Sequence, residues 1–130
     1  ICEGVPEPSE GTIQAPLGPK PGSLMEQMVC PDGKFARTRY KVLATDGGRA
    51  LVELELDTGR THQIRVHMAY IGHPLTGDFL YGQENRELIG RPALHSARLE
   101  LCHPVNGERL TFTAPLPQDM EKLLKSCKNF

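Results

Sequence analysis

The clearest alternation of polar and apolar positions lies between residues 36 and 57. Basic side chains alternate with threonine, tyrosine and valine over 37–42, and apolar side chains alternate with acidic ones over 52–57. A period of two predicts strands, because successive side chains of a strand point to opposite faces. Asp46, Gly47 and Gly48 supply a turn between the two runs. We therefore predict an antiparallel hairpin over 36–57, in which a basic row lies near an acidic row.

A second hairpin is predicted over 97–113. Apolar positions alternate with polar ones on both sides of Asn106-Gly107. Asn-Gly between two alternating runs is the strongest short-range hairpin signal in a sequence. Residues 83–93, which precede this region, show no such periodicity and predict an irregular surface loop.

Helical spacing replaces alternation over residues 61–71. The apolar positions at i, i+4 and i+7 are Ile64, Met68 and Ile71. They predict the face of a helix that packs on the core. Thr58 or Thr61 is the predicted cap of its first turn, and Gly72 is the predicted left-handed stop.

A second amphipathic helix is predicted behind Pro117. Its apolar positions at helical spacing are Met120, Leu123, Leu124 and Cys127. Asp119 and Glu121 near its start and Lys125 and Lys128 near its end match the helix dipole. The two hairpins and two helices together predict an α+β fold, a mainly antiparallel sheet built from both hairpins, with flanking helices packed on it.

Composition divides the chain at about residue 35. Six of the eleven prolines come before residue 32 and alternate with glycines, which predicts an extended and turning segment over 1–35 with a short strand around 12–15. Residues 36–130 carry the periodic patterns and form the predicted main unit. At 130 residues the whole chain has the size of one domain.

Charge and cysteine content exclude several classes of function. Lys plus Arg is 15 and Asp plus Glu is 16, a formal net charge of -1, so any nucleic-acid face must be a local patch. The four cysteines form no Cys-x-x-Cys pair, which predicts reduced thiols in a cytoplasmic protein and no metal site. No apolar run is long enough to cross a membrane.

One local concentration of cationic side chains lies over residues 60–73, a stretch without any carboxylate. Its members are Arg60, His62, Arg65, His67 and His73. The start of the predicted helix adds free backbone N–H groups and a favourable dipole, so we predict an anion site there. For any one of these residues the alternative is a surface ion pair or a hydrogen-bonded core imidazole. The two histidines nearest the helix start lie five positions apart and face away from each other, which argues against a metal.

The short motifs around this stretch resemble those of the RluA-type pseudouridine synthases. The matching segments are Gly-Arg-Thr-His-Gln-Ile-Arg-Val-His at 59–67, Ile-Gly-His-Pro at 71–74, Gly-Asp at 77–78, Leu-Tyr-Gly at 80–82, Leu-His-Ser at 94–96, His-Pro at 103–104 and Phe-Thr-Ala-Pro-Leu-Pro at 112–117. The resemblance covers residues 36–124 well and extends weakly to 4–17.

The resemblance implies isomerisation of uridine to pseudouridine in structured RNA, ribosomal or transfer, with no cofactor and no metal. In that family an aspartate attacks the flipped-out uridine, an arginine pairs with the aspartate and a leucine closes the pocket. By position, Arg65 matches the arginine and Leu94 matches the leucine. The residues expected to contact RNA are Arg60, Thr61, His62, Gln63, Arg37, Arg39 and Lys41.

The chain departs from the family pattern because it contains neither the His-Arg-Leu-Asp segment of the nucleophile nor the base-stacking tyrosine motif. We therefore expect the nucleophile to belong to a missing N-terminal half of the catalytic domain, and the isolated chain to be inactive. The sheet should then expose an edge and apolar surface, which that half or a second copy in a homodimer can cover. The alternatives are a non-catalytic RNA-binding remnant and a folded fragment without activity of its own.

Overall fold

The computed structural model describes residues 1–127 and has the α+β architecture that the sequence predicts. Its elements in chain order are β1 Cys2–Glu3, β2 Glu10–Gln14, β3 Leu17–Pro19, β4 Gln27–Val29, β5 Arg37–Thr45, β6 Arg49–Leu56, α1 Gln63–Tyr70, β7 Arg98–Cys102, β8 Arg109–Thr113 and α2 Gln118–Ser126. Lys128, predicted in the terminal helix, lies outside the described residues. Within the described part, neither helix has the length and apolarity needed to cross a membrane.

The main sheet is antiparallel and has the strand order β1-β6-β5-β2. Its centre is the pair of β5 and β6, which confirms the hairpin predicted over 36–57. The register sets Arg39 opposite Glu55 and Lys41 opposite Glu53. The basic row therefore faces the acidic row, as the alternation predicts.

The 97–113 hairpin forms as predicted, but it does not join the main sheet. Within residues 1–127, β7 and β8 pair with each other in a separate two-stranded sheet. The prediction that both hairpins build one sheet was wrong because the two free edges of the β5–β6 pair are already occupied. β1 pairs with β6 on one side and β2 pairs with β5 on the other.

Residues 1–35 pack into the same cores as the rest of the chain. Ile13 of β2 is buried in one apolar cluster with Met68 of α1, and Leu17 of β3 is buried in another with Val66 of α1. β2 matches the short strand predicted around 12–15. The segments before and after residue 35 thus share two apolar clusters, and the division at that residue stays a prediction from composition.

The buried face of α1 differs from the predicted one. Gln63, Val66, His67 and Met68 are buried. Ile64 and Ile71, predicted to point into the core, are only partly buried and pack at its margin. The helix lies between the main sheet and the β3–β4 sheet, so its buried surface is wider than a single apolar stripe.

The start of α1 also differs from the prediction, whereas its end agrees. His62 occupies the N-cap in the left-handed region with φ 56°, and no side chain caps the first turn. The Thr58 hydroxyl instead donates to Gln63 Oε1 at 2.7 Å, and Thr61 is exposed. Gly72 follows the helix at φ 86°, the predicted left-handed stop.

The terminal helix α2 contributes to a third apolar cluster. The buried members are Ile1, Ile89, Ala93, Met120, Leu123 and Cys127. Ile89 and Ala93 belong to the segment 83–93, which is irregular as predicted but is not confined to the surface. These two buried side chains hold that segment against the helix.

A buried polar network connects α1 to the main sheet. His67 is fully buried, and its Nδ1 accepts from the Thr38 hydroxyl at 2.8 Å while its Nε2 donates to the Ala15 carbonyl at 2.9 Å. Gln63 Nε2 donates to the same hydroxyl at 3.0 Å. Burial lowers the pKa of His67, so the imidazole is neutral at pH 7 and the hydrogen bonds are mutually consistent. The core imidazole alternative thus describes His67.

Replacing Thr38 by valine tests this network. Valine keeps the shape of the side chain but leaves Nδ1 of His67 and one amide hydrogen of Gln63 without a partner. We expect the free energy of unfolding, measured in urea, to fall by about 1–3 kcal/mol. Thr111→Val on the exposed strand β8 is the matched control and should have little effect. Equal effects of the two substitutions would contradict a role for the network.

Candidate active site

Arg65 forms a bidentate ion pair with Asp78. Nε and Nη2 of the arginine donate to the two carboxylate oxygens at 3.0 and 2.8 Å. The arginine side chain is 15% exposed and the aspartate is fully buried. Arg65 lies in the first turn of α1, and Asp78 lies in the turn that follows Leu75. The pair therefore fixes the helix to the segment that comes after it.

The turn around Asp78 is built to hold a carboxylate. Oδ1 of Asp78 also accepts the backbone N–H groups of Leu80 and Tyr81 at 3.0 and 3.1 Å. Gly77, at φ 79°, has no room for a side chain, since a Cβ there would lie 2.5 Å from the carbonyl oxygen of Arg91. Only glycine therefore brings the backbone into this position.

The ionised form of Asp78 is favoured despite its burial. Burial raises the pKa of the carboxyl, but the hydrogen bonds from Arg65 and from the backbone of Tyr81 and Leu80 outweigh it, so the pKa lies below its ordinary value. The hydrogen bonds that Arg65 donates to Asp78 raise the pKa of the arginine. Because the folded pKa of Asp78 is depressed, its ion pair stabilises the fold above the unfolded pKa and is lost as the pH falls through the folded one.

Two aromatic rings flank the Arg65 guanidinium. Its Cζ lies 5.3 Å from the ring centroid of Phe79 and 5.2 Å from that of Tyr81. The Phe79 residue is 53% exposed. Within residues 1–127, Nη1 of Arg65 donates to no protein acceptor. The guanidinium is thus held at two nitrogens, while its third nitrogen stays available to a further acceptor.

Asp78 was missed by the sequence analysis, which expected the acidic partner of Arg65 to come from outside the chain. A signal for it was present, because Asp78 is the only carboxylate between Asp57 and Glu84. The Gly-Asp pair has the composition of a turn, and it does form one. The same side chain makes the turn and pairs with the arginine.

Leu94 is half-buried against the apolar cluster that contains Met68 and Leu75. Its position is fixed by Arg91, whose Nη1 donates to the Leu94 carbonyl at 2.8 Å. Nε and Nη2 of the same guanidinium donate to the two carboxylate oxygens of Asp119 at 2.8 and 2.9 Å. Arg91 therefore couples the Leu94 turn to the first turn of α2.

The residues expected to contact RNA fall into two groups. Arg37 lies 3.1 Å from Asp57, Arg39 lies 3.1 Å from Glu55 and 3.0 Å from Asp57, and Lys41 lies 3.6 Å from Glu10. These three cations are partnered by acids of neighbouring strands. They form the solvated, ion-paired face that the alternation equally predicts.

The second group lies before and at the start of α1. Arg60 and Thr61 are exposed and line a cavity of about 810 Å³ between this loop and the β3–β4 sheet, together with Lys34 and Asp32. Gln63 is 3% exposed and both ends of its amide are bonded inside the protein. The amide of Gln63 thus holds the loop before α1 against β5, and the expected contact of this residue with RNA stays a prediction.

His62 is partly buried beside Tyr81. Its Nδ1 lies 2.7 Å from the Tyr81 hydroxyl, and the two rings meet edge to face at 5.5 Å. Burial and then the charge of Arg65 lower the pKa of His62, partly opposed by Asp78. The imidazole that the sequence places among the cations is therefore neutral at pH 7. No group of three or more metal-ligating side chains occurs within residues 1–127.

Comparison with known proteins gives consistent results. The sequence profile of a family described as RNA pseudouridylate synthase matches residues 1–70. The uncharacterized RNA pseudouridine synthase YjbO of Bacillus subtilis is 54% identical over 116 residues, 89% of this chain and 41% of that protein. Ribosomal large subunit pseudouridine synthase D of Nitrosomonas europaea is 42% identical over 128 residues, 92% of this chain and 37% of that protein.

A comparison with solved structures gives the same family as the sequence comparison. The human RNA Pseudouridylate Synthase Domain Containing 1 superposes with a TM-score of 0.73 at 25% identity, and the match covers 98% of this chain and 62% of that one. The chain thus spans about two fifths of the length of the two bacterial relatives.

Asp78→Asn tests whether the Arg65 pair organises this region. The substitution keeps the size of the side chain but leaves a largely buried guanidinium without its counter-charge. We expect the free energy of unfolding to fall by about 3 kcal/mol, near the lower limit for breaking a buried pair because Arg65 keeps some solvent contact. Glu100→Gln, which breaks the exposed pairs of Glu100 with Arg98 and Arg109, is the control and should leave stability unchanged within error. Similar losses for both variants would contradict the assignment.

Proposed function

The chain belongs to the RNA pseudouridylate synthase family, and on that premise we propose that it supplies the Arg65 part of a site that isomerises uridine to pseudouridine. The substrate is ribosomal or transfer RNA in the cytoplasm, and the reaction uses no cofactor and no metal. The nucleophilic aspartate comes from polypeptide beyond these 130 residues, so the chain alone is inactive. Family membership confirms the resemblance drawn from the sequence motifs.

The geometry of Arg65 is the observation that carries the proposal. Asp78 holds Nε and Nη2, which leaves Nη1 without a partner within residues 1–127, and the guanidinium carbon lies 5.3 Å from the centroid of the half-exposed Phe79 ring. An arginine in that state can orient a second carboxylate and keep it ionised where burial would otherwise raise its pKa. The backbone N–H groups of Leu80 and Tyr81 share the charge of Asp78, so its pairing does not use up the positive charge of Arg65.

Leu94 has the position of an apolar wall for such a pocket. It packs at the margin of the cluster beneath α1, and Arg91 fixes its backbone. A base removed from its stack needs apolar surface to replace the lost stacking, which a half-buried leucine supplies. We assign this role to Leu94.

The β7–β8 hairpin is the surface that we assign to the rest of the catalytic domain. Leu99 stands opposite Phe112, and both are about half exposed, while Leu101 stands opposite Leu110. The hairpin thus carries an apolar row that residues 1–127 leave partly exposed, and exposed apolar surface of this kind marks an interaction site. The relatives are more than twice as long as this chain, so they contain polypeptide that can cover it. The alternative is a homodimer, in which a second copy of the chain covers the same face.

A chimera tests the catalytic proposal. We would replace the matching part of the Bacillus subtilis relative by this chain and measure pseudouridine formation in tritiated ribosomal and transfer RNA. Arg65→Ala should lower the rate by about 100-fold or more, the usual cost of losing a charged group that stabilises a reacting centre. Arg86→Ala, a change at an exposed arginine, is the control. Activity of the Arg65→Ala chimera within a few-fold of the parent would refute the assignment.

A non-catalytic RNA-binding remnant is the second candidate, and the cavity lined by Arg60, Thr61 and Lys34 favours it. If it holds, the isolated chain binds structured RNA with weak salt dependence, since the cations of β5 are already paired. We expect log affinity to fall with log salt with a slope of about -1 to -2. Arg60→Ala should make that slope shallower by about 0.9, whereas Lys41→Ala should leave it unchanged. No measurable binding at low salt would exclude this candidate.

A further inference from the structure

His62 is the one non-glycine residue with positive φ within residues 1–127. A left-handed backbone at such a residue costs on the order of 1–3 kcal/mol and persists only where the surroundings hold it. It also stands at the N-cap of α1, where it supplies no capping hydrogen bond. The strained backbone therefore does not serve to stabilise the helix, and its effect is to fix the direction of the imidazole.

The hydrogen bonds of Tyr81 favour one tautomer of His62. The Tyr81 oxygen accepts the backbone N–H of Gln27 at 2.8 Å, so its own hydrogen is free to point elsewhere. Nδ1 of His62 lies 2.7 Å from that oxygen, and we assign it as the acceptor of this hydrogen. In a neutral imidazole the remaining proton must then reside on Nε2. Within the described part of the chain, Nε2 has no acceptor.

The neighbours of His62 disfavour a charged imidazole. Arg65 lies three residues further along the same helix face, and Asp78, the nearby acid, already binds that arginine at both oxygens. A second cation beside Arg65 would be repelled, and burial against Tyr81 adds to the cost. The side chain that points from this helix start is a fixed, uncharged N–H donor.

We propose that His62 donates its Nε2 hydrogen to a carbonyl oxygen of a uracil base in the bound RNA, and that Tyr81 is the positioning residue that fixes this tautomer. The inference rests on the proposed function, since it assumes that RNA binds at this site. It replaces the expectation that His62 is a cation on a phosphate. A neutral donor suits a base carbonyl, whereas phosphate binding draws its strength from charge.

Two RNA octamers with equal numbers of phosphates separate a base contact from a phosphate contact. One contains seven adenosines and a single central uridine, and the other contains adenosine alone, which offers no base carbonyl. The intact chain should bind the uridine octamer more tightly by roughly three- to tenfold, the value of one neutral hydrogen bond. His62→Ala and Tyr81→Phe should remove this preference and leave the salt dependence of both affinities unchanged.

Matched variants sharpen the comparison. His62→Gln keeps a neutral N–H donor and should retain part of the preference for uridine. His62→Lys adds a cation, so it should tighten both octamers equally and steepen the salt slope by about 0.7. His103→Ala, in the turn between β7 and β8, is the control and should behave like the parent chain.

Contrary outcomes distinguish this inference from the function on which it rests. If His62→Ala weakens both octamers equally and makes the salt slope shallower by about 0.7, His62 is a phosphate contact and the inference is wrong while the proposed function stands. If the parent chain binds neither octamer at low salt, the inference is overturned, whereas the proposed function is decided separately by the activity of the chimera. The tautomer of His62 can be tested on the unaltered chain, so this test does not depend on the folding of a substituted variant. The imidazole nitrogen spectrum of the intact chain at pH 7 should show the Nε2–H form of His62, and a proton on Nδ1 would overturn the proposal.

Discussion

The ion pair between Arg65 and Asp78 is the constraint on which the rest of the site depends. A fully buried carboxylate must find donors for both oxygens, and here it finds them in one guanidinium and two backbone N–H groups. Those backbone groups place Tyr81, and Tyr81 in turn holds the His62 ring. One buried charge thus orders an arginine, an aromatic ring and a histidine along a single surface.

The elements that the sequence predicted well are those whose pattern is local. The β5–β6 and β7–β8 hairpins and the end of α1 follow from alternation, from turn residues and from a glycine at positive φ. β1 pairs Cys2 with Ala50, nearly fifty positions away, and no local pattern contains that information. The start of α1 was mispredicted for another reason, because tertiary contacts of His62 override the usual preference for a threonine cap.

The site was predictable in part. The density of cations over 60–73 led to Arg65, but the same composition gave no means of telling which of them are neutralised. The register of the main sheet decides that question for Arg37 and Arg39, since it places them beside acids. Burial decides it for Gln63 and His67, whose polar atoms are used to hold the helix. Charge counts along a sequence cannot separate a binding face from an ion-paired one.

The Arg91 guanidinium links Leu94 to α2, because it donates to the Leu94 carbonyl and to Asp119. Only a few buried side chains hold that helix against the rest of the chain. Helices of that kind fray and reopen at lower free energy than the central strands of a sheet. When α2 detaches, Asp119 leaves with it and the turn that carries Leu94 loses its tether. On heating, the Leu94 turn would then loosen before the main sheet unfolds, because its tether runs through the helix.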